Sequence, residues 1–424
     1  MVRGIALFAC VLFLVIHTNA NANTQPSASK LKESIELSQT WLNNFQKENG
    51  LYHYIFRPAG YIQKTPAQAP EQIKQRMAPG QITQKSAPDS FAPYPDDDNI
   101  VRQILSYWAL IKSTDFNDND SVLNNIKRFE AAILKHIVIQ DSAHGPALFV
   151  QYDEQMKVNS TALYLAALLA KKDRGLSLTK EQKSHIKFAV NGLKVFAAPE
   201  AGFYYYHDTN RVNFISSYGS GEAQLALAQY VNETQDATLH ASIKKRFDEY
   251  FQAYYANNFT NPMSYTDTER IGYHTWALYY LNEIDKFEPI NYQKYARPLI
   301  KYAFDFKEAN SQCMDNPCIY SMAMWDSSSV EGLAAAYPLM LKYETDQDLI
   351  KRTKSYLDNS ISYLLTLQVN SIAEYEAKTG TKFKNNPNHL IGGFCDWPSC
   401  PYMRNEVSMH VTAALMAYYN LFYR

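Results

Sequence analysis

Apolar residues along this chain follow helical spacing in two alternating kinds of segment. In the first kind, only one stripe is apolar: Leu239, Ile243 and Phe247 recur every three or four positions, while Lys244 and Lys245 take the other side. Such a stripe predicts a helix with one face against a core and the other in solvent. Six segments of this kind occur, at 30–48, 120–137, 180–197, 236–256, 289–305 and 347–369.

Segments of the second kind are apolar and rich in small residues on nearly every side. The clearest lies within Ala201–Val231, where an aromatic stretch opened by Gly202 leads into an apolar helix from Gly219. A helix of this composition is expected to be buried all round. The six ranges are 98–111, 159–170, 219–231, 272–284, 327–343 and 406–422.

The strict alternation of the two kinds indicates an internal repeat of helix pairs. The starts of the buried helices are 54 to 79 residues apart, which suits a two-helix unit with a long connection. We therefore predict an all-α fold, an (α/α)6 toroid formed by a single domain over 23–424, with six outer and six inner helices. The alternative is an open solenoid, which would need capping repeats and shorter connections.

The connections from outer to inner helices share a pattern of a turn residue followed by aromatic or apolar residues. This pattern predicts a turn and a short β segment in each repeat. All six should lie on one face of the ring, since each leads into the start of an inner helix. They occur at 49–54, 145–149, 201–206, 261–265, 316–320 and 392–397. The first continues into a proline-rich stretch at 60–95, which we interpret as a lid over this face, an inert insertion being the alternative.

The beginning of the chain has the features of an export signal. Arg3 precedes an apolar run from Ile5 to Ile16, and small residues follow up to Ala22. The run is too short to span a bilayer, so we expect cleavage after about residue 22 and a secreted or periplasmic protein. The formal net charge of -1 gives no electrostatic reason to expect nucleic acid or an anionic membrane as partner.

Four cysteines follow the predicted signal, in two C-x4-C pairs. In an exported protein the default is two disulfides, and four cysteines allow three pairings that the sequence leaves open. A structural zinc site with four thiolates is the weaker alternative. The residues are Cys313, Cys318, Cys395 and Cys400.

Ionisable side chains are concentrated where the inner helices begin, and a closed ring would bring them to one cavity. Carboxylates with His and Arg in a tyrosine-lined cleft suit acid/base work on a sugar. We expect a carbohydrate ligand and no cofactor; no HExxH or comparable metal motif occurs. The candidate catalytic residues are Tyr218, Glu222, His274, Glu331 and His410. The candidate substrate-binding residues are Asp98, Arg102, Arg270, Asp326, Trp397, Arg404 and Glu406.

Each candidate also has a purely structural interpretation. Asp96 and Asp97 would suit the capping of the first inner helix. Glu222 and Glu331 lie one turn or more inside apolar helices, where a carboxylate needs a partner, so a structural ion pair competes with catalysis. His274 and His410 could equally be packed core histidines.

Several of these helix starts resemble bacterial (α/α)6-toroid proteins akin to the C-terminal domain of D-glucuronyl C5-epimerases and to six-hairpin glycosidases. The resemblance covers most of residues 30 to 424. It implies action on a polysaccharide or oligosaccharide by hydrolysis, β-elimination or epimerisation, with Tyr, His, Glu and Arg at this face. The segments that carry it are Asp98-Asn-Ile-Val-Arg102, Trp108-Ala-Leu, Tyr218-Gly-Ser-Gly-Glu222-Ala-Gln, Tyr273-His-Thr-Trp-Ala-Leu, Gly392-Gly-Phe and Arg404-Asn-Glu-Val-Ser-Met-His410.

Three functions therefore compete. The first is a carbohydrate-active enzyme, with Glu222 or Glu331 as acid/base and Arg102 and Arg404 holding substrate. The second is a glycan-binding toroid without catalysis, because Asn159 stands where such an enzyme often has a stronger acid. The third is a structural scaffold, which predicts a mouth plugged by side chains.

Overall fold

A computed structural model of the chain describes residues 25–57, 92–93, 99–199, 201–207, 215–253, 268–310, 323–380, 388–396, 400 and 403–424. The predicted alternation of outer and inner helices is confirmed within them. The outer helices are α1 (Ala28–Asn44), α3 (Asp120–Ile133), α5 (Lys180–Phe196), α7 (Ala237–Phe251), α9 (Ala296–Asn310) and α11 (Gln347–Thr366). The inner helices are α2 (Ile100–Ser113), α4 (Val158–Asp173), α6 (Ser217–Thr234), α8 (Thr268–Ile284), α10 (Ala323–Tyr343) and α13 (Asn405–Phe422). A short helix, α12 (Ile372–Thr379), follows α11.

The inner helices form a closed ring. Each contacts the next in the order α2, α4, α6, α8, α10 and α13, and α13 then contacts α2. Across this closing seam, the hydroxyl of Ser38 in α1 is hydrogen-bonded to that of Thr412 in α13. The (α/α)6 toroid is therefore confirmed, and the open solenoid is excluded.

Small residues allow the inner helices to approach one another closely. A Cβ atom added to Gly219 of α6 would lie 2.4 Å from Cγ1 of Val158 in α4. One added to Gly332 of α10 would lie 3.0 Å from the Cα atom of Thr275 in α8. The abundance of small residues in the inner segments thus reflects contact on several sides.

The observed outer helices differ from the predicted ranges by several residues at some ends, and two of these differences have a local cause. The helix expected over 120–137 ends at Ile133, and the chain continues through a 3-10 turn (Leu134–His136) into strand β3 (Ile137–Gln140). The predicted helix thus includes the 3-10 turn and Ile137, the first residue of this strand. The helix expected from 289 begins at Ala296, because the side chain of Asn291 accepts a hydrogen bond from the Lys294 N–H and holds the chain in turns.

The short β segments within the described ranges form two three-stranded antiparallel sheets. In one, β3 pairs with β4 (Ala147–Tyr152), which pairs with β5 (Gln155–Met156). In the other, β1 (Ile55–Arg57) lies between β2 (Ala92–Pro93) and β6 (Met403–Arg404). The second sheet joins the connection before α2 to the start of α13, so it reinforces the closing seam.

Four connections are attached to their inner helices by the same hydrogen bond. In each, a backbone N–H of the connection donates to a side chain at the fourth position of the inner helix that follows. The donor and acceptor pairs are Tyr52 with Gln103 Oε1 (2.5 Å), Val150 with Thr161 Oγ1 (3.2 Å), Phe203 with Ser220 Oγ (3.0 Å) and Phe394 with Ser408 Oγ (3.0 Å). The repeat thus includes a polar contact besides the helix pair.

Backbone hydrogen bonds also connect neighbouring repeats on this face. They run from Val158 N–H to Tyr205 O (3.1 Å), from Ala323 N–H to Asp396 O (3.0 Å) and from Asn405 N–H to Tyr54 O (3.0 Å). In each pair the donor opens one inner helix, and the acceptor belongs to the connection before the adjacent inner helix. The leading ends of these helices therefore share one face, as predicted; we call it the mouth.

Some predictions concern residues outside the described part of the chain. These are the export signal at 1–22, nearly all of the lid at 60–95, and the connections at 261–265 and 316–320 with Cys313 and Cys318. Among the helices that are described, none has the length and apolar character needed to cross a membrane.

Candidate functional site at the mouth of the toroid

Two tryptophans from opposite walls meet at the ring axis. Trp108 of α2 and Trp276 of α8 are both buried, and their ring centroids are 6.1 Å apart. Each is the ninth residue of its helix. At 1.5 Å of rise per residue, they lie about 12 Å below the mouth. They form a floor across the ring, and we call the region of the axis between this floor and the mouth the cup.

Four polar side chains from four inner helices gather near this floor. Glu331 of α10 is fully buried, and its Oε1 lies 2.6 Å from Nδ1 of His410 in α13. The Tyr279 hydroxyl of α8 donates to Oε2 of Glu331 at 3.3 Å. The Lys112 ammonium of α2 lies 4.2 Å from the centre of the Trp108 ring and 5.7 Å from that of Tyr279. We call Lys112, Tyr279, Glu331 and His410 the axial cluster.

Burial changes the acid/base properties of this cluster. It lowers the pKa of Lys112 to about 8, although the nearby Glu331 and Glu283 carboxylates oppose the change. Burial, together with Glu331, raises the pKa of the Tyr279 hydroxyl well above its usual value. A lysine whose pKa is lowered toward neutrality can exchange a proton at ordinary pH.

Glu222 of α6 occupies a different environment in the adjoining wall. It is buried, and its Oε2 accepts a hydrogen bond of 2.5 Å from Nδ2 of Asn159 in α4. Burial raises the pKa of this carboxyl well above its usual range, and the Asn159 hydrogen bond only partly counters it. A carboxyl group of this kind keeps its proton to higher pH and can serve as a general acid.

A network of five side chains lies at the rim, where α13 meets α2. Glu406 accepts hydrogen bonds from Arg102 Nε, from Arg404 Nη1 and, at 3.1 Å, from the Tyr54 hydroxyl. Arg404 Nη2 donates to Oδ2 of Asp396 at 2.6 Å. The Arg102 guanidinium also lies over the Tyr54 ring, 4.7 Å from its centre. We call these five residues the rim network.

The carboxylates of the rim network are more deeply buried than its arginines. Asp396 is 0% exposed and Glu406 3% exposed, whereas the side chains of Arg404 and Arg102 are 17% and 31% exposed. Buried carboxylates need a charged partner, because desolvation is costly. Both arginines predicted to hold substrate are thus paired within the protein, and among the described residues of the rim the two positive charges balance the two negative ones.

The two predicted catalytic histidines face different ways. His410 joins the axial cluster. His274 stacks on Tyr302 of outer helix α9, with ring centroids 4.0 Å apart and planes within 7°. Together with Ser329 and Gly332 it lines a small cavity between α8, α9 and α10. Burial lowers the pKa of His274 well below its usual value. This position, between the two helix layers, is that of a packed core histidine.

The remaining candidates are placed only in part. Tyr218 is half-buried in the first turn of α6 and packs against the core. Helix α2 is capped by Asn99, whose side chain accepts from the Val101 N–H at 3.0 Å, so the cap is not Asp96 or Asp97. Outside the described residues or side chains lie Asp98, Arg270, Asp326 and Trp397.

Sequence reasoning missed Lys112, Tyr279, Asp396 and Tyr54 as members of these clusters. Lys112 did carry a signal, since it is a lysine four residues after Trp108 in the apolar second half of the helix. Asp396 and Tyr54 lie in the connections, where the sequence showed a turn pattern but not which side chains turn inward.

A disulfide joins Cys395 to Cys400 in the sixth connection, on either side of the segment that begins with Asp396. For this pair the disulfide is confirmed, and a four-thiolate zinc site would lack two of its ligands. No group of three or more His, Cys, Asp or Glu side chains suited to a metal occurs within the ranges that the structure describes.

A closed ring of six helical hairpins with a polar cup at one end defines the molecule as an (α/α)6 toroid. No family model and no curated protein matches the sequence. Solved structures of the same fold do match. A cellobiose 2-epimerase from Bacillus thermoamylovorans has a TM-score of 0.59 and 11% identity, over 93% of this chain and 98% of that one.

Two further solved structures are of enzymes with other activities on sugars. A family 76 α-1,6-mannanase from a Salegentibacter species has a TM-score of 0.59 and 10% identity, over 92% of this chain and 99% of that one. An unsaturated glucuronyl hydrolase specific for heparin has a TM-score of 0.56 and 11% identity, over 93% and 98%. At these identities the similarity establishes the shared fold.

Proposed function

We propose that this protein is a carbohydrate-active enzyme that acts on a polysaccharide or oligosaccharide by acid/base catalysis in the cup. The toroids that match it include an epimerase, a mannanase and a glucuronyl hydrolase. Because fold alone does not define function, the proposal rests on the cup. The observation that carries it is the presence of two buried carboxyl groups on the inner helices, Glu222 on α6 and Glu331 on α10, in different environments.

The two carboxyl groups suit different roles. Glu222, hydrogen-bonded to an amide and with a raised pKa, is the proposed proton donor to a leaving oxygen. Glu331, paired with His410, is the proposed partner that accepts a proton or stabilises positive charge. Tyr279 and Lys112 complete its surroundings, and Tyr218 is proposed to line the entrance. The same groups would serve hydrolysis, β-elimination or C5-epimerisation.

Aspartates before α2 are a further proposed part of the machinery. A complex of the Salegentibacter mannanase with α-1,6-mannotriose contains an inactive variant in which two aspartates are replaced by asparagine. In this chain Asp96, Asp97 and Asp98 stand directly before the Asn99 cap. We propose that Asp98 contributes to substrate binding or catalysis, with Arg270, Asp326 and Trp397 as further contacts.

A glycan-binding toroid without catalysis is the second candidate. The rim network favours it, because Asp396 and Glu406 are both engaged in ion pairs and thus serve structure. The meeting of Trp108 and Trp276 at the axis would also suit a scaffold. Both alternatives predict that the protein changes no substrate.

We propose that the protein works outside the cytoplasm. The apolar segment near Met1 has the pattern of an export signal, and the Cys395–Cys400 disulfide is typical of oxidising compartments.

The decisive experiment measures activity on a panel of polysaccharides and oligosaccharides for the mature protein and for Glu222→Gln and Glu331→Gln. Loss of a general acid or base should lower kcat by about 10²- to 10⁴-fold. Glu130→Gln is the matched control, because Glu130 is a partly buried carboxylate bound to Lys171 at 2.6 Å and to Tyr107 at 2.7 Å, outside the cup. Equal activity in all four proteins would exclude these carboxyl groups from the mechanism.

A further inference from the structure

We infer that the mouth selects uncharged glycans over uronic-acid glycans, and that the rim network sets this selectivity. The inference rests on the proposed function and concerns its substrate class. Because β-elimination and C5-epimerisation act on uronic acids, it favours hydrolysis among the three reactions proposed above. Arginine is the side chain best suited to bind a uronate carboxylate, through two parallel hydrogen bonds. The question is therefore whether Arg102 and Arg404 have donors available for a ligand.

Both arginines already bind carboxylates of the protein. Arg404 spans two of them, with Nη1 on Glu406 and Nη2 on Asp396. Arg102 directs Nε to the other oxygen of Glu406 and lies over the ring of Tyr54. The Tyr54 hydroxyl also donates to Glu406. A uronate would have to compete with two carboxylates that the fold holds in place.

Burial makes this competition unequal. Because Asp396 and Glu406 are almost inaccessible to solvent, withdrawing a guanidinium would leave a buried anion without its cation. The incoming carboxylate would also approach two fixed negative charges. Like charges brought together at a binding site act against association.

In the axial cluster below the rim, the basic side chains are likewise already engaged by carboxylates of the protein. His410 is hydrogen-bonded to Glu331, and Lys112 lies close enough to Glu331 and Glu283 for both carboxylates to raise its pKa. The Glu222 carboxyl, in turn, would become an additional anion on losing its proton. A neutral sugar needs no cation and can use the aromatic faces and hydroxyl groups instead.

The test compares binding of size-matched neutral and uronate oligosaccharides by calorimetry at low ionic strength. The neutral probes are manno- and cello-oligosaccharides, and the uronate probes are heparosan and polygalacturonate oligosaccharides. The mature protein is expected to bind a neutral probe and to bind every uronate probe at least about tenfold more weakly. Glu406→Gln keeps the Arg404–Asp396 pair and removes one rim anion, so it should raise uronate affinity at least about tenfold.

Two outcomes would overturn the inference. One is that a uronate binds more tightly than any neutral probe and that this binding is lost in Arg404→Gln or in Lys157→Gln. Lys157 is a lysine at the start of α4 whose ammonium lies over the Tyr205 ring. The other is unchanged uronate affinity in a folded Glu406→Gln. Failure to bind any glycan would refute the proposed function and the selectivity with it, whereas uronate binding as tight as that of the neutral probes, or tighter, would refute the selectivity alone.

Discussion

Replacing Arg404 by methionine should destabilise the protein more than any other single loss of a cation at the mouth. Its guanidinium is the charged partner of Asp396, which is fully buried and whose Oδ1 has no hydrogen-bond partner among the described residues. Removing one member of a buried ion pair costs about 3–5 kcal/mol, because the other charge stays desolvated. Glu406 keeps Arg102 and Tyr54, so we assign this cost to Asp396.

The free energy of unfolding would be measured by urea denaturation at pH 7, followed by circular dichroism. We expect Arg404→Met to lower it by about 4 kcal/mol with an unchanged urea dependence. The double variant Arg404→Met/Asp396→Asn should recover at least about 2 kcal/mol, since the unpaired anion is removed. Arg102→Met is the matched control and should cost about 1 kcal/mol, because its side chain is more exposed and Glu406 retains Arg404.

A loss below about 1 kcal/mol in Arg404→Met, or no recovery in the double variant, would refute the reasoning. The Asp396 carboxylate would then be stabilised without the Arg404 guanidinium, and that guanidinium could bind a ligand carboxylate instead.

Three further predictions concern stability. Burial raises the pKa of Glu222 in the folded protein. The protonated Glu222 therefore contributes its full stabilisation at pH values below the ordinary glutamate pKa, and this contribution is lost as the pH rises through the pKa of the folded protein. Urea denaturation at a series of pH values should show this loss in the wild type and not in Glu222→Gln. Gly392→Ala should lower the free energy of unfolding by about 2–4 kcal/mol, because φ is +96° and the new Cβ atom would lie 2.0 Å from a carbonyl oxygen of α1. Gly380→Ala is the control: φ is +70° but no atom lies within 4 Å, so the loss should be about 1 kcal/mol. Replacing Cys395 and Cys400 by serine should lower stability by about 2 kcal/mol, measured against the oxidised protein.

Each of these has its own contradictory result. Parallel pH curves for the wild type and Glu222→Gln would place that carboxyl in contact with water. Equal losses for the two glycine variants would mean that the contact with α1 relaxes freely. A double-serine variant as stable as the oxidised protein would show that the sixth connection is held without the disulfide.

The helices and the closed ring were predictable because each depends on local composition. A stripe such as Leu239, Ile243 and Phe247 specifies an outer helix, and small residues such as Gly219 specify an inner one. The boundaries were less secure where turn chemistry competes with periodicity, as at Asn291.

The candidate site was predictable only in its location. His274 is the seventh residue of α8 and His410 the sixth residue of α13. One position on a helix turns a side chain by about 100°, so this difference directs one imidazole to the outer layer and the other to the axis. A shift of one or two residues in a predicted helix start is enough to hide the difference. The partnership of Lys112 and Glu331 depends on ring closure and leaves no periodic signal.

The seam between α13 and α2 has a consequence for synthesis. Helix α2 is synthesised about 300 residues before α13, which packs against one of its sides in the closed ring. Helix α10 also lacks one of its two neighbours until α13 has been made. Loops of this size make closure slow, and during the delay a wide apolar surface is accessible to solvent. Nascent chains with five hairpins made and the sixth still missing should therefore depend on holdase chaperones.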